Sequence, residues 1–522
     1  MEKKKNKKMW RTVEDNWLKL QEQPKKRMLI TMSKILIGPL LLLGFIVLLG
    51  FIWLKKNFSG ANLDMMVMQM MMPLEGTGGD YVTSFMIQVL LPGIVCTVVF
   101  LVIGHSIRKK GMALFIGNHA VFPNRILSFA LVMVFTFSAC TRAIVSLEVP
   151  EYLANRNAAS DFIEENYVDP RSKSLVFPEK KRNLIYIYME SMETTLFSKD
   201  HGGQMEQEVM PELYKIASNN INFSDKGKVG GSVPLTGMGI TSSAIVAQTA
   251  GLPLLVSENW KGEEANEVFV PKAVTLGDVL FDNGYKQYFV VGSEAEFGAK
   301  DKYFTDHGNA TIFDLRTARQ EGIVPENYHN KFWGMEDMYL YEFAKKKLLE
   351  VAEDDTPFSY NILTVDTHFP DGYVCDLCKD EFGEQYTNVF ACASRQLGSF
   401  MKWLEQQDFY DNTTVVITGD HLTMNVDYFT RNNLDVTQRR VYNAFINTPD
   451  VIPAKSKDRM FASIDMFPTT LAALGVEIED DRLGLGTNLF SDQSTLLEMY
   501  GYDLVETEFK KQSEYYKKTF ED

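Results

Sequence analysis

Cysteine and histidine are scarce in this chain. Its 522 residues include 5 cysteines and 7 histidines. Cys96 and Cys140 lie in strongly apolar stretches, where a thiol serves as a small apolar filler. The other three cysteines, Cys375, Cys378 and Cys392, are too few ligands for a zinc site, and no nearby histidine completes one. We expect one disulfide that closes the loop back to Cys392 and leaves one thiol over, with the choice of its partner open.

Basic residues are in short supply after residue 149. Residues 1–149 carry a net charge of +10 and the remainder −25, which together give the −15 of the whole chain. An acidic domain of this size is a poor match for the phosphates of a nucleic acid. We therefore expect no nucleic-acid partner and interpret the acidity as a source of solubility.

Long apolar runs are confined to the first 150 residues. Three of them, at residues 35–54, 81–104 and 126–147, reach the length of about 20 residues that crosses a bilayer core. The first is not a cleavable signal peptide, because its apolar core is too long and further spans follow it. We expect three transmembrane helices embedded in a lipid bilayer.

Basic residues beside these runs predict their orientation. Eleven Lys and Arg residues precede the first span, and four more lie between the second and the third. Only Lys55 and Lys56 follow the first span. Both basic segments are expected to face the cytoplasm, which places everything after Leu147 outside. The prediction is a multi-pass cell-membrane protein with an extracytoplasmic domain.

The pattern of the chain divides it into five parts. They are a cytoplasmic basic tail (1–34), a membrane anchor (35–147), a linker with one helix (148–181), an extracytoplasmic domain (182–492) and a C-terminal tail (493–522). In the large domain, candidate strands alternate with amphipathic stretches such as Met338–Val351 and Ala393–Gln407. The candidate strands are Leu184–Tyr188, Gln287–Val291, Ser359–Val365, Thr413–Thr418 and Val441–Ile446. This alternation predicts an α/β fold whose sheet is covered by helices on both faces.

The most informative strand candidate ends in an acid and an imidazole. The β-branched run Thr413–Thr418 is followed by a glycine and then by Asp420 and His421, a pattern typical of a buried strand and its end. Both side chains suit a divalent metal, and ligands bind at the carboxyl ends of strands in open α/β sheets. The alternative is an ordinary turn, where Asp and His are also common.

A second apolar strand, Leu184–Met189, ends in Glu190. Two acids at two strand ends of one sheet can converge on a single cation. The alternative is that Glu190 only caps the following turn. We take Glu190 as a third candidate metal ligand.

The hydroxyl residues 241–243 stand just before the helix-like run 244–248. This order places Thr241 at or near a helix N-terminus, where free N–H groups and the helix dipole favour a phosphate or sulfate group. A threonine hydroxyl is a weak nucleophile unless a base or a metal lowers its pKa, and the candidate metal site offers that activation. The alternative is an ordinary N-cap.

A third strand, Ser359–Val365, leads into the segment Thr367-His368-Phe369-Pro370. His368 is placed at the same sheet edge as the other candidates. It is a candidate to hold a substrate phosphate or to move a proton to the leaving or attacking oxygen. The alternative is a structural histidine after a strand.

Together these segments resemble the lipoteichoic acid synthase and phosphoglycerol transferase family, a sulfatase-like branch of the alkaline phosphatase superfamily. The resemblance runs in order from about residue 180 to about residue 490. It rests on four segments: Tyr188-Met189-Glu190-Ser191, Gly239-Ile240-Thr241-Ser242, Thr367-His368-Phe369-Pro370 and Gly419-Asp420-His421. Other segments, such as Ala250-Gly251-Leu252-Pro253-Leu254, are closer to the member of the family that modifies periplasmic glucans.

The resemblance implies a sulfatase-like α/β sandwich with a central mixed, mostly parallel sheet. It implies one divalent metal, manganese first and magnesium as the alternative, bound by Glu190, Thr241, Asp420 and His421. Thr241 is then the nucleophile and His368 a contact of the substrate phosphate. The implied reaction is a phosphoglycerol transfer through a covalent threonine intermediate. Its donor is phosphatidylglycerol and its acceptor a glycan or a glycerol-phosphate polymer.

The chain departs from the synthase pattern at two points. The synthase has a Trp and an Arg in its substrate groove, where this chain reads Glu296-Phe297-Gly298-Ala299-Lys300-Asp301. Lys300 is the candidate substitute for that arginine, as a point charge without its bidentate fork. The synthase also has five spans, against three here. Both departures leave the acceptor open.

Three other kinds of enzyme fit the residues less well. A sulfatase needs a Cys or Ser nucleophile in a C/S-x-P-x-R frame, and residues 241–245 lack the Pro and the Arg. A phosphoethanolamine transferase also uses threonine but has more histidines. A two-metal phosphatase needs more Asp and His ligands. A catalytically inactive polymer-binding relative remains as a fourth alternative, although it has no reason to retain the intact set around Thr241.

Overall fold

The computed structural model describes residues 24–58, 60, 63–71, 80–109, 114–116, 119–122, 125–255, 268–325, 328, 334–449 and 451–521. These residues form two compact units. One lies within residues 1–57 and 79–150, and the other within residues 58–78 and 151–522.

The first unit is built from apolar helices. They are Pro24–Asn57, Asp80–Phe85, Leu91–Lys109 and Arg125–Ser146, with a π-helical turn at Met86–Leu90 and a short hairpin of strands Leu114–Ile116 and His119–Phe122. Within the described residues, three stretches are long and apolar enough to cross a bilayer, namely Ile30–Asn57, Val82–Ile107 and Ile126–Ser146. The three apolar helices predicted from the sequence are confirmed, and the chain is a membrane protein.

The second unit is centred on a seven-stranded sheet. Its strands are β1 (Asn183–Met189), β2 (Gly231–Ser232), β3 (Lys286–Val291), β4 (Thr311–Phe313), β5 (Phe358–Leu363), β6 (Thr413–Gly419) and β7 (Val441–Ile446). Their order in space is β2-β7-β6-β1-β5-β3-β4. Strands β6, β1, β5, β3 and β4 run parallel, whereas β7 is antiparallel to β6 and to β2. The expected mixed, mostly parallel sheet is confirmed.

Helices cover both faces of this sheet. They are α1 (Pro211–Asn219), α2 (Thr241–Ala250), α3 (Leu276–Asp282), α4 (Lys300–Asp306), α5 (Leu315–Gln320), α6 (Asp337–Val351), α7 (Gln385–Leu404), α8 (Val426–Arg431), α9 (Met466–Ala473), α10 (Leu496–Tyr500) and α11 (Tyr502–Lys510). Alternate side chains of β1 enter two separate core layers. Tyr186 and Tyr188 pack in the layer that holds α2 and α9. Ile185 and Ile187 pack in the layer that holds α6 and α7.

The five strands predicted from apolar runs are all present. The two strands of this seven-stranded sheet that were not predicted are β2, of 2 residues, and β4, of 3 residues. Both lie at the edges of the sheet. Strands this short show neither a clear alternation nor a continuous apolar run, which is why the sequence pattern does not reveal them.

Segments on both sides of residues 182–492 fold into the same unit. The stretch expected as a linker, 148–181, contributes a helix at Phe162–Asn166 and a strand at Leu175–Val176, which pairs with Glu477–Ile478. Phe162 contacts the ring of Phe509 from α11, and both side chains are buried. The large apolar residues of these segments are scattered among charged and polar residues and form no long run, so the segments resemble a linker and a tail until their burial is seen.

The cysteines do not form the disulfide expected from the sequence. Cys375, Cys378 and Cys392 are all free thiols. The Cys375 Sγ lies 3.6 Å from the Cys378 Sγ and 3.8 Å from the Cys392 Sγ, whereas a disulfide requires about 2.05 Å. The third thiol, which was expected to remain apart from a disulfide, lies in the same cluster as the other two.

Candidate active site

The pairing of β1 with β6 brings two acids together. The strands are parallel, with Met189 opposite Gly419, so the next residue on each strand, Glu190 and Asp420, emerges at the same edge of the sheet. Both acids are buried, with 3% and 0% of their surfaces exposed. Two buried carboxylates side by side repel each other unless a positive charge lies between them.

Ser191 orients both acids. Its N–H donates to Asp420 Oδ1 at 2.7 Å, and its hydroxyl donates to Glu190 Oε1 at 2.6 Å. The residue has a φ of 53°, a left-handed conformation that is uncommon for a residue with a side chain. This turn directs its N–H back to the end of β6. Strained backbone of this kind occurs where a site requires it.

His421 presents one ring nitrogen to the acids. Its Nδ1–H donates to the carbonyl of Leu422 at 2.8 Å, which in the neutral ring leaves the lone pair on Nε2. Nε2 lies 3.7 Å from Glu190 Oε1 and 3.4 Å from Asp420 Oδ2. The orientation is that of a metal-binding histidine whose other nitrogen is held by a backbone carbonyl.

Thr241 is the first residue of α2, as the sequence predicted. Its Oγ1 lies 3.3 Å from Glu190 Oε2 and 3.5 Å from His421 Nε2. The next two hydroxyls are occupied elsewhere: Ser242 donates to the carbonyl of Gly298, and Ser243 donates to the carbonyl of Ile240. Of these three hydroxyls, the threonine is the one directed at the acids.

Gln248 ties the helix of Thr241 to the strand of Asp420. Its Nε2 donates to the carbonyls of Gly419 at 3.0 Å and Asp420 at 3.2 Å. Its Oε1 accepts a hydrogen bond from the hydroxyl of Tyr186 on β1 at 2.9 Å. One buried side chain therefore joins the three elements that carry the candidate site.

The residues fit a divalent metal ion. Donor atoms of Glu190, Asp420 and His421 all lie within 4.8 Å of one another, with Thr241 Oγ1 beside them. Among the described residues, the buried Asp420 Oδ2 accepts no hydrogen bond, a costly arrangement that a cation would relieve. Burial, together with the nearby Glu190, raises the pKa of Asp420 to about 7. Carboxylate and hydroxyl oxygens with one imidazole suit manganese or magnesium.

Lys300 lies at the start of α4 and is buried, with 5% of its surface exposed. Its Nζ donates to the carbonyl of Phe297 and lies 4.8 Å from the centre of that ring. Burial lowers its pKa to about 8, an effect opposed most strongly by the charge of Glu190 and then by Asp301 and Asp420. The structure thus places the candidate substrate-binding lysine within the electrostatic range of the acids.

His368 lies on the loop after β5. Its Nδ1 is 2.8 Å from the carbonyl of Phe369, and its ring stacks on that of Phe369. Burial lowers its pKa to about 4, and the nearby charges of His421, Asp420 and Lys300 also act on it. At neutral pH the imidazole is therefore uncharged, with its Nδ1–H donated to the backbone and the lone pair on Nε2.

Sequence reasoning missed two residues that position this site, Ser191 and Gln248. Gln248 had a usable signal, because it is the one amide in the otherwise apolar run of 244–248 and lies two turns after Thr241, on the same helix face. Ser191 was part of the quoted motif, yet its left-handed backbone and its bond to Asp420 depend on the neighbouring strand, which the sequence does not specify.

The sequence model of the sulfatase family matches residues 182–476, more than half of the chain. The chain belongs to the sulfatase family. Phosphoglycerol transferase I of Escherichia fergusonii is 29% identical to the chain over 329 residues. This match covers 61% of the chain but only 40% of that relative. The chain thus spans less than half the length of the curated relative that it matches.

Two solved structures are similar to this sulfatase-family chain. The lipoteichoic acid synthase LtaP from Listeria monocytogenes is 18% identical and superposes with a TM-score of 0.47, covering 63% of this chain and 80% of its own. The integral membrane lipooligosaccharide phosphoethanolamine transferase A (EptA) from Neisseria meningitidis is 12% identical with a TM-score of 0.47. It covers 85% of this chain and 84% of its own.

Proposed function

We propose that this protein is a membrane-anchored phosphoglycerol transferase. It moves glycerol phosphate from phosphatidylglycerol to a glycan or a glycerol-phosphate polymer, through a covalent intermediate on Thr241. The observation that carries the proposal is the position of Thr241 Oγ1 at a helix N-terminus, 3.3 Å from Glu190 Oε2 and 3.5 Å from His421 Nε2. The name of the curated relative supports the choice of glycerol phosphate as the transferred group.

Glu190, Asp420, His421 and Thr241 would hold one divalent metal, manganese or magnesium. When bound, this ion lowers the pKa of a coordinated hydroxyl and neutralises charge on the phosphoryl group. The N-terminal N–H groups of α2 favour the phosphate at the same point. Lys300, whose pKa is about 8, adds a positive charge on the side of the site formed by α4.

The reaction then proceeds in two displacements. Thr241 Oγ1 attacks the phosphorus, the bond from phosphorus to the diacylglycerol oxygen breaks, and the proton of the threonine hydroxyl passes to that oxygen. An acceptor hydroxyl next attacks the phosphorus, and Thr241 Oγ1 leaves and regains its proton. His368, on the loop after β5, is the candidate to contact the substrate phosphate or to help move this proton. Two displacements at one nucleophile give ping-pong kinetics.

The membrane helices fit a lipid donor. Anchoring keeps the site near the leaflet that holds phosphatidylglycerol and raises its effective concentration. The orientation predicted from the basic residues places the site outside the cytoplasm, together with the surface glycans that would accept glycerol phosphate.

Thr241→Ala tests the proposal directly. The full-length protein in detergent or vesicles is incubated with fluorescent phosphatidylglycerol and manganese, and the release of labelled diacylglycerol is measured. We expect release by the wild type and by Thr305→Ala, an exposed threonine on α4, and none by Thr241→Ala. Release that survives the loss of the Thr241 hydroxyl would contradict the covalent mechanism.

Mass spectrometry of the trapped intermediate identifies the transferred group. We expect a glycerophosphate adduct on the peptide that contains Thr241. A phosphoethanolamine adduct, formed when phosphatidylethanolamine is supplied in the same vesicles, would assign the protein to the other transferase class. No adduct and no lipid cleavage would identify an inactive relative.

A further inference from the structure

A second cluster of metal-binding side chains lies apart from Thr241. Cys375 and Cys378 belong to a turn in the segment after β5, closed by the N–H of Cys378 donating to the carbonyl of Cys375 at 3.0 Å. Cys392 lies on α7, 17 residues after Cys375. The sulfur atoms of all three lie within 4.8 Å of one another.

The distances between the sulfurs match a tetrahedral metal site. A metal–sulfur bond of about 2.3 Å in tetrahedral geometry places neighbouring sulfurs about 3.8 Å apart. The observed separations from Cys375 Sγ are 3.6 Å to Cys378 and 3.8 Å to Cys392. They are far longer than the bond of about 2.05 Å in a disulfide. The thiols are therefore spaced as ligands of one ion.

Gln396 supplies the fourth position. It lies one helical turn after Cys392 on α7, and its amide nitrogen is 3.6 Å from Cys375 Sγ and 3.5 Å from Cys392 Sγ. Its other amide atom, Oε1, is buried and accepts no hydrogen bond from any described residue. A half-turn of the amide exchanges the two atoms. An oxygen bound at about 2.1 Å in the same tetrahedron lies about 3.6 Å from each sulfur, which is the observed spacing.

Two neighbouring groups stabilise negative charge on the sulfurs once an ion has displaced their protons. The backbone N–H of Leu377 donates to Cys375 Sγ, and the guanidinium of Arg395 lies close enough to Cys392 to act on its charge. Cys375 and Cys392 are buried, with 4% and 1% of their surfaces exposed. Thiolates held in this way bind soft or borderline cations such as zinc more readily than manganese or magnesium.

We propose that Cys375, Cys378, Cys392 and Gln396 Oε1 bind one zinc ion. Each thiol releases its proton as its sulfur binds the ion, so binding requires no oxidant and leaves no disulfide. The sequence alone does not indicate such a site, because no histidine lies near the three cysteines and the carboxamide of Gln396 is not a usual zinc ligand. The ion would tie the segment that carries His368 to α7, and so fix the position of that histidine.

Cobalt substitution tests the site on the full-length protein. Thiolate ligands give cobalt an intense charge-transfer absorption that oxygen ligands do not give, so the signal excludes the site at Thr241. We expect this absorption in the wild type, in Asp420→Asn and in Cys140→Ser, and its loss in Cys378→Ser and Cys392→Ser. Gln396→Ala should bind zinc at least about 10-fold more weakly. Unchanged zinc affinity in that variant would overturn the assignment of the fourth ligand.

Thiol chemistry on the wild type provides a test that does not depend on folding of the variants. With zinc bound, the three thiols should resist alkylation, and a strong chelator should expose all three. The proposal fails if intact-mass analysis finds a disulfide between any two of them. It also fails if zinc does not change their rate of alkylation.

Discussion

At the scale of single residues, Lys300 departs most clearly from the expected pattern. It is the candidate substitute for the arginine of the synthase, and burial lowers its pKa to about 8. A lysine is charged below its pKa, so this cation is present at neutral pH and is lost as the pH rises through about 8. An arginine would remain charged throughout that range.

Lys300→Met should lower kcat for lipid cleavage by about 100-fold, because it removes one preorganised positive charge from the phosphoryl site. The wild type should lose activity as the pH rises through about 8, and Lys300→Arg should keep its activity further into the alkaline range. Lys215→Met, an exposed lysine on α1, is the matched control. If the wild type and Lys300→Arg lost activity identically at alkaline pH, deprotonation of this lysine would not be the cause of that loss.

At the scale of secondary-structure elements, the site depends on how α2 is held against the sheet. Thr241 begins the helix, and Gln248 bonds the same helix to the end of β6 and to Tyr186 on β1. The parallel register of β1 and β6 sets the separation of the two acids. A displacement of α2 would therefore move the nucleophile away from its ligands while leaving both strands intact.

Gln248→Leu should destabilise the protein by about 1–3 kcal/mol, because it removes hydrogen bonds from two buried carbonyls and from the Tyr186 hydroxyl. It should also lower kcat more than the affinity for lipid, since α2 is no longer fixed. Urea unfolding and steady-state kinetics measure the two effects. Gln320→Leu, at an exposed position on α5, should change neither. If Gln248→Leu kept the kcat of the wild type, the hydrogen bonds of Gln248 would not be what positions Thr241.

At the scale of the whole molecule, buried acids couple stability to pH and to metal. Burial raises the pKa of Asp420, Asp337 and Asp465 to about 7. The folded protein therefore holds protons that the unfolded chain has lost between the ordinary pKa of 3.8 and about 7. Without metal, stability should fall as the pH rises through that window and level off above it.

A metal that binds the ionised form of Asp420 should reverse this loss. We expect manganese to raise the Tm of chelator-treated protein more at about pH 8 than at about pH 6, because protons compete with the metal at the lower pH. Thermal unfolding measures both increments. In Asp420→Asn, manganese should raise the Tm much less than in the wild type at both pH values. An equal increment at both pH values would disconnect metal binding from this carboxylate.

The orientation of the chain is also a property of the whole molecule. The basic residues predict that Ser218, exposed on α1, faces the outside and that Lys3 faces the cytoplasm. A membrane-impermeant maleimide should label Ser218→Cys in intact cells, above the background of the native cysteines. It should label Lys3→Cys only after permeabilisation. The reverse pattern would place the site in the cytoplasm.

The sequence by itself determined the parts that depend on local pattern. The length of the apolar runs identified the three helices that are long enough to cross a membrane, continuous apolar runs identified the five longer strands, and the residue types at the strand ends singled out Glu190, Asp420 and His421. Residues that are close together in the chain determine these features, because a membrane-length helix, a buried strand and the end of a strand each require a characteristic local composition. The motif around Thr241 correctly placed it at the start of a helix.

Only the tertiary structure decided the features made by distant segments. Gln248 reaches a carbonyl 171 residues away, and Ser191 bonds to an acid 229 residues away, so no local pattern reveals either contact. The same holds for Cys375, Cys378 and Cys392: the sequence predicted a disulfide between Cys392 and one of the other two, whereas the structure shows three free thiols beside Gln396. Close packing, set by the sheet register and by helix placement, brings these side chains together.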